Sequence, residues 1–508
     1  MKQKTELINF KNYGNIIFFA ILILLFFLLD FHHILFLRPQ GIHFIRQTDS
    51  LSFVVNYYKN GMDFFEPQVF NLNSINGKAA CEFPILYYIT ALFYKIFGEH
   101  EFFLRLITIT IVSSGLFFLF KLLEKLLKST AYALIFTFLF FSSTVFLYYT
   151  NNFLPDASAL GFTFIGWYFF YDFLPDRDNK KSLITGFLFF TLSSLLKVTY
   201  FINPAAAILT LAACDFSKKT NVKQFVKKNF LILSLFGISI IILTGWNLFA
   251  ILYNKANHDN YFLVSAKPIF EMNTEGIKET WGNITGYWYT RYYSNDTFNA
   301  LFFIIIAGFV FIKRSNRTIF KTTLFLTAGS LIFFLLFFAQ FKDHDYYFLT
   351  LIPAIVFLTV NSFVALQNRF PKIINNYITG IILLILVVIS MNYAKEKLAE
   401  RYDNKRVDIF SDIGNVLSGA DKELDSLEIS PESKFIIFTD KTPNGGLYFI
   451  RRPGWSIPGD SEKNLKDLEK HIRQGADYLL CTGNNYPASV RNYNLIYKSE
   501  KYSLYKIK

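Results

Sequence analysis

Apolar runs of the length that crosses a bilayer as a helix, roughly 20 residues, recur along most of this 508-residue chain, with short polar segments between them. They fall at about 16–37, 102–120, 131–149, 157–174, 182–196, 200–214, 229–252, 298–312, 322–340, 346–366 and 373–393, and predict about eleven membrane spans. The fifth and sixth runs are short and separated by Lys197, so 182–214 reads either as two spans or as a re-entrant hairpin. The parity of everything downstream is the same in both cases. The first run is too long for a signal-peptide core and lacks a small-residue cleavage site, which predicts an uncleaved first span. Segments 50–58 and 85–97 are amphipathic and aromatic, as expected of helices lying in the membrane interface. The stretch between them, 71–78, reads as turn-rich.

After residue 393 the pattern changes. Strand-like runs at 434–439, 478–482 and 495–498, and a helical run at 461–474 with Ser461 as its N-cap, predict a soluble α/β domain. The expected fold class is therefore a polytopic α-helical membrane protein with a C-terminal soluble α/β domain. Its expected division is 1–393 and 394–508, with 38–101 as a first long loop.

Composition supports this division. Charged residues make up 18% of the chain, against roughly 25% in soluble domains. Segment 394–508 carries 19 Lys/Arg and 17 Asp/Glu, so most of the net charge of +13 lies in 1–393. There the basic residues sit in short runs between spans rather than on one folded face, which speaks against a nucleic-acid partner. With the N-terminus in the cytoplasm, the inward segments hold Lys2, Lys4 and Lys11; Lys121, Lys125 and Lys128; Arg177, Lys180 and Lys181; Lys218, Lys219, Lys223, Lys227 and Lys228; Lys313, Arg314, Arg317 and Lys321; and Arg369 and Lys372. No inward loop violates the positive-inside rule. The outward side then receives loop 38–101, the turn near Asp156, the loop 254–297, the turn 342–345 and the whole tail. Of the three cysteines, Cys81 and Cys481 fall outside, but nothing in the sequence pairs them, and free thiols are expected.

The outward acids are the candidate chemistry. Asp49 precedes an interfacial helix, Glu82 lies between Cys81 and Phe83-Pro84, and Asp156 stands where a turn enters the fourth span. Asp343, His344 and Asp345 precede Tyr346 and Tyr347 at the mouth of the tenth. A carboxylate at the membrane surface can take a proton from a hydroxyl acceptor, or hold a divalent cation against a phosphate. Taken singly such acids are often only solvated, and Asp156 after Pro155 can serve as a helix cap; their gathering on one side is what points to function. Lys197, a lone charge between two apolar runs, is either functional or snorkelling. Arg46 and Lys78 can grip phosphate or be solvated. His258 is a candidate metal ligand. Asp30 and His33, three residues apart on one helix face, read as a structural pair.

The arrangement resembles the GT-C glycosyltransferases, in the bacterial branch similar to protein O-mannosyltransferases and the aminoarabinose transferase (glycosyltransferase family 39-like). The resemblance covers about residues 10–395. It rests on Asp49 early in the first outward loop, Pro84-Ile85-Leu86-Tyr87-Tyr88, Phe97-Gly98 followed by Arg105-Leu106, Asp156 at the second outward turn, Leu196-Lys197, and the tyrosine–proline segment 346–353. It implies a polyprenyl-phosphate sugar donor, transfer on the outward face of a bacterial cytoplasmic membrane, and inversion at the anomeric carbon. Asp49 would be the catalytic carboxylate and Asp156 a second acid near the lipid phosphate. Lys197 would neutralise that phosphate, and Glu82 would contribute to a donor-phosphate or metal site, with His258 as the other metal candidate. Arg46, Lys78, His344, Tyr346 and Tyr347 complete the candidate donor site. The acceptor would be a lipid, a protein or a glycan. The chain departs from the mannosyltransferase pattern at Asp49-Ser50, where those enzymes carry Asp-Glu. The competing reading is a transporter or flippase for a lipid-linked or small solute. Such proteins place ionisable groups near the midplane, often in repeats, whereas here the acids gather at one face.

Overall fold

The computed structural model describes residues 13–217, 220–262, 266–403, 409–459, 461–483, 486, 490 and 492–507. Lys2, Lys4, Lys11, Lys218 and Lys219 of the inward basic set lie outside them. The architecture is a bundle of apolar helices with a small α/β domain seated on one end. Six helices among the described residues are long and apolar enough to cross a membrane: Phe102–Leu127, Val198–Phe216, Phe230–Ala256, Arg317–Leu336, Asp345–Arg369 and Tyr377–Arg401. Two bent helix pairs would raise the number to eight.

Several of the eleven predicted runs depart from straight spans, for local reasons. The first helix, α1 (Gly14–Leu28), stops where Asp30 adopts a left-handed conformation (φ 58°). The Asp30 carboxylate there pairs with His33 Nδ1 at 2.5 Å, the contact that their spacing on one helix face predicts. The third run bends by 82° between Thr130–Phe141 and Thr144–Thr150. Ser142 and Ser143 sit at the break; Ser142 Oγ donates to the Leu139 carbonyl and Ser143 Oγ accepts from Phe146 N–H, the competition with helical hydrogen bonds typical of serine. The segment 182–214 is two helices, Lys180–Leu196 and Ile202–Phe216, joined by one 3₁₀ turn. The last membrane helix runs on to Arg401, so the expected boundary at 393 falls inside a helix. Its end is anchored by an Arg401–Asp345 ion pair at 2.7 Å.

The first loop holds two helices, α2 (Phe44–Lys59) and α3 (Ile85–Phe97), close to the predicted 50–58 and 85–97. The tail is a five-stranded sheet with strands β1 (Phe435–Phe438), β2 (Gly454–Ile457), β3 (Tyr478–Thr482), β4 (Asn494–Lys498) and β5 (Tyr502–Lys506), in the order β2-β1-β3-β5-β4. Strands β2, β1 and β3 run parallel, and β5 pairs antiparallel with both β3 and β4. The sequence pattern predicts β1, β3, β4 and the helix Glu462–Arg473, whose Ser461 cap accepts from Asn464 N–H. It misses β2 and β5, which are short and apolar only in part.

The edge strand β2 is covered by the first loop. Leu72 N–H donates to Gly454 O at 2.8 Å, and Gly454 N–H donates to Phe70 O at 3.0 Å. Gly454 admits no side chain, because a Cβ there would lie 1.9 Å from Phe435 O. Arg451 Nη2 reaches Glu99 at 2.8 Å from the same domain. The sheet edge is thus paired and protected, and the tail and loop 38–101 lie at the same end of the bundle. All three cysteines are free.

Candidate functional site

A cavity of about 1010 Å³ opens where the first loop, the helix ends and the tail meet. Arg46 and Asp49 line it from α2, Glu82 from the following segment, Lys197 from the turn between Lys180–Leu196 and Ile202–Phe216, and His344, Tyr346 and Tyr347 from the turn that enters the Asp345–Arg369 helix. Trp246, Ala250 and Ile251 of Phe230–Ala256 supply an apolar wall.

Helix α2 carries the run Arg46-Gln47-Thr48-Asp49-Ser50 into the protein interior. Its hydroxyls satisfy themselves along the helix: Thr48 Oγ1 donates to Ile45 O at 2.9 Å, Ser50 Oγ to Arg46 O at 2.9 Å and Ser52 Oγ to Thr48 O at 2.7 Å. Asp49 is left to find partners on other elements, as a buried carboxylate must. Tyr261 OH donates to its Oδ2 at 3.0 Å, Asn444 Nδ2 to its Oδ1 at 3.3 Å, and Arg46 Nη1 stands 3.9 Å away. Burial pushes its carboxyl up, Arg46, Tyr261 and Asn444 pull it down, and the balance is a pKa of about 7. A carboxyl poised near neutrality is suited to a general base.

Glu82 takes the opposite value for a stated reason. Burial alone would raise it, but Arg46 Nη2 contacts both its oxygens at 2.9 Å and Tyr87 OH donates to it at 2.5 Å, which holds it down at about 2. Burial disfavours the Arg46 cation, but Glu82, Cys81, Tyr87 and Asp49 together outweigh it and raise the guanidinium above its ordinary value. The segment carrying Glu82 is pinned from Phe230–Ala256: Asn254 brackets Ala80 at 2.7 and 2.8 Å, and Trp246 Nε1 donates to Cys81 O at 3.0 Å.

Lys197 breaks the helix before it with an extended backbone (φ −153°). Its Nζ lies 3.0 Å from Asp156 Oδ1 and over the rings of Tyr346 and Tyr347, at 4.6 and 4.7 Å from their centroids. Asp156 itself is not in the lining; it stands behind Lys197 and holds it. His344 stacks on Tyr346 at 5.2 Å. Burial, then His43 and Lys197, push its imidazole down to about 3, so it is neutral.

The structure thus gathers Arg46, Asp49, Glu82, Lys197, His344, Tyr346 and Tyr347, with Asp156 one layer back. It does not bring in two others. Lys78 is paired with Glu66 at 2.8 Å outside the cavity, and His258 is exposed and absent from the lining. Arg46 contacts both Glu82 oxygens and Tyr87 donates to one of them. The one trio of His, Cys, Asp or Glu with ligand atoms within 4.8 Å of one another, among the described residues, is Asp30, His32 and His33, away from the cavity.

Sequence reasoning missed three partners. His43, in a left-handed conformation (φ 57°), lines the cavity and reaches Asp345 with Nε2 at 3.2 Å. Tyr261 comes from the loop after Phe230–Ala256. Asn444 comes from the tail. His43 lies six residues before Asp49, and its proximity was the available signal; for Tyr261 and Asn444 no local pattern exists.

Comparison with known proteins now bears on this geometry. The family described as dolichyl-phosphate-mannose-protein mannosyltransferase matches residues 81–246, a segment holding Glu82, Asp156 and Lys197 but neither Asp49 nor the late tyrosines. The crystal structure of ArnT from Cupriavidus metallidurans in the apo state superposes with a TM-score of 0.61 over 97% of both chains at 11% identity. The fold is that of ArnT. The same ArnT bound to undecaprenyl phosphate matches this chain with a TM-score of 0.58, covering 97% of this chain and 98% of that one at 12% identity. The archaeal oligosaccharyltransferase AglB from Archaeoglobus fulgidus, in complex with an inhibitory peptide and a dolichol-phosphate, matches at 0.51, with 12% identity over 93% of this chain and 70% of that one. A search of curated protein sequences returns no match.

Proposed function

We propose that this protein is an inverting GT-C glycosyltransferase that moves a hexose or pentose from a polyprenyl-phosphate donor to a hydroxyl- or phosphate-bearing acceptor at the outer face of a bacterial cytoplasmic membrane. The observation that carries this reading is that a carboxyl poised near pH 7, Asp49, and a cation, Lys197, line one cavity with an apolar wall. The ArnT bound to undecaprenyl phosphate, with the same fold, supports a lipid-phosphate donor.

In this reaction the acceptor O–H gives its proton to Asp49 as the acceptor oxygen attacks the anomeric carbon. The bond from that carbon to the phosphate oxygen breaks on the opposite face, which inverts the centre. Polyprenyl phosphate leaves with the electron pair, and its negative charge develops against Lys197. Tyr346 and Tyr347 hold the Lys197 ammonium by cation–π contact, and Asp156 keeps it oriented. For a phosphate-bearing acceptor no proton need be lost, and Asp49 orients rather than deprotonates. The acceptor is a lipid, a protein or a glycan.

The test is turnover of polyprenyl-phosphate sugars by the purified protein in lipid nanodiscs, read as released polyprenyl phosphate. With a hydroxyl acceptor, Asp49→Asn is expected to bind donor normally and to lose about a hundred- to ten-thousand-fold in kcat. Wild-type activity should fall on the acid side of about pH 7, as Asp49 is protonated. No donor consumption across a panel of sugars, or an Asp49→Asn variant within a few-fold of wild type, would overturn the proposal.

A further inference from the structure

Asn444 is an unusual residue for its place. It is the N-cap of the tail helix Gly445–Ile450, where an asparagine normally turns its side chain back to cap its own helix. Here it makes no such bond. The helix start is served instead by neighbours: Gly445 N–H donates to Thr442 Oγ1 at 2.9 Å and Gly446 N–H to Asp440 Oδ2 at 3.1 Å. The Asn444 side chain is thereby released to cross into the membrane domain, where it is fully buried.

Its amide orientation is fixed by what it meets. Phe70 N–H and Asn71 N–H both point at one end, at 3.1 and 3.2 Å. A backbone N–H can only donate, so that end is the oxygen. The NH₂ group then faces Ser52 Oγ at 2.7 Å and Asp49 Oδ1 at 3.3 Å. Ser52 already donates its proton to Thr48 O, so it must accept from Asn444. Every polar atom of this side chain is thus committed, and one N–H is committed to the carboxylate.

We propose that Asn444, supplied by the C-terminal domain, is a positioning residue for Asp49: it fixes one carboxylate oxygen and favours the ionised form, so the active site is complete only while the tail is seated. The proposal deepens the glycosyltransferase reading and rests on it for its catalytic consequence. The seat itself is built from several contacts with loop 38–101: the Asn71–Gly454 bridge, Asn71 Nδ2 donating to Pro443 O, and Arg451 with Glu99 and Glu101. Pro443, next to Asn444, lines the cavity directly.

The groups facing Asp49 are Arg46 on its own helix, Glu82 and Cys81 from the next segment, Tyr261 from the loop after Phe230–Ala256, and Asn444. Of these, Asn444 is the one that belongs to the tail. Removing its N–H withdraws a bond made to the charged form. The carboxyl should therefore hold its proton to higher pH.

The decisive variant is Asn444→Asp in the full-length protein in nanodiscs. It keeps an oxygen for Phe70 and Asn71, hence the seat, but turns a carboxyl instead of an amide donor toward Asp49. The expected result is an unchanged unfolding temperature within a few degrees, with the acid limb of kcat moved up by about one pH unit or more. At neutral pH kcat should fall about tenfold, while donor KM changes less than a few-fold. Asn444→Ala, which leaves no second carboxylate, should shift the limb in the same direction and covers the case in which Asn444→Asp does not fold. An infrared carboxyl band, assigned to Asp49 by its loss in Asp49→Asn, reads the same titration without turnover. If wild type consumed no polyprenyl-phosphate sugar, the function reading would fail, and the infrared titration would still decide this inference. Wild-type acid limbs and infrared titrations in both Asn444 variants would sink it.

Discussion

Two carboxyls that share one guanidinium, Asp49 and Glu82, are shifted in opposite directions because their remaining partners differ. Glu82 holds both Arg46 contacts and a tyrosine hydroxyl and stays ionised far below neutrality. Asp49 is left with two neutral donors and a more distant cation, and is poised near pH 7. Divergent values in neighbouring acids are a physical signature of assigned roles. Lys197 makes a second residue-scale case. Its single carboxylate partner and its two aromatic faces leave the ammonium turned to the cavity. Lys197→Ala is expected to weaken binding of polyprenyl phosphate by roughly ten- to a hundredfold, the range of one charged hydrogen bond. Lys197→Arg should recover part of that loss. Competition binding with a labelled lipid phosphate measures both, and unchanged affinity in Lys197→Ala would remove Lys197 from the phosphate site.

At the scale of elements, the site depends on how closely two helices approach. Phe102–Leu127 and Asp156–Phe173 pack with Gly115 against Gly161, and a Cβ on Gly115 would lie 2.5 Å from Gly161 Cα. Backbone faces backbone there, so neither side can yield, and small residues at such crossings are what close packing in membranes requires. Gly115→Val should cost about 1–3 kcal/mol or more through overpacking, seen as a lower unfolding temperature in detergent. Because Asp156 opens the second of these helices, the displacement should also loosen Lys197 and reduce lipid-phosphate affinity. An unfolding temperature equal to wild type would mean that the two helices are not packed in this way.

For the molecule as a whole, the tail and the first loop share one end, while Lys121 and Lys125, Arg177 and Lys180, and Lys313 and Arg314 lie at or near the other ends of the helices. By the positive-inside rule, the cavity end is expected to face outward. The helix Phe102–Leu127 runs past Lys121, so a reporter belongs after Lys128, where the chain turns (φ 54°). Fusions after Lys128 and after Lys223 should read cytoplasmic, and one at the C-terminal end of the tail should read external. A cytoplasmic tail would place the transfer on the other face of the membrane. Arg38, Tyr448 and Arg451 all converge on Glu101, tying the membrane domain to the tail by charge as well as by strand pairing.

Hydrophobic periodicity alone determined that this is a membrane bundle with an α/β tail, because the length of an apolar run and the alternation of a strand are local properties. It also brought out Asp49, Glu82, Asp156 and Lys197, since charge beside an apolar run is conspicuous. The breaks near Asp30 and Ser142, and the run-on of the last helix to Arg401, escaped it, because single polar side chains and one distant ion pair decide them. Lys78 and His258 looked like their neighbours in sequence; only the folded chain turns one toward Glu66 and leaves the other outside the cavity. Asn444 lies 395 residues from Asp49. Its side chain reaches that carboxylate because two other residues cap its helix and a sheet edge pairs with the first loop, and contacts between elements so far apart in the chain exist only in the tertiary structure.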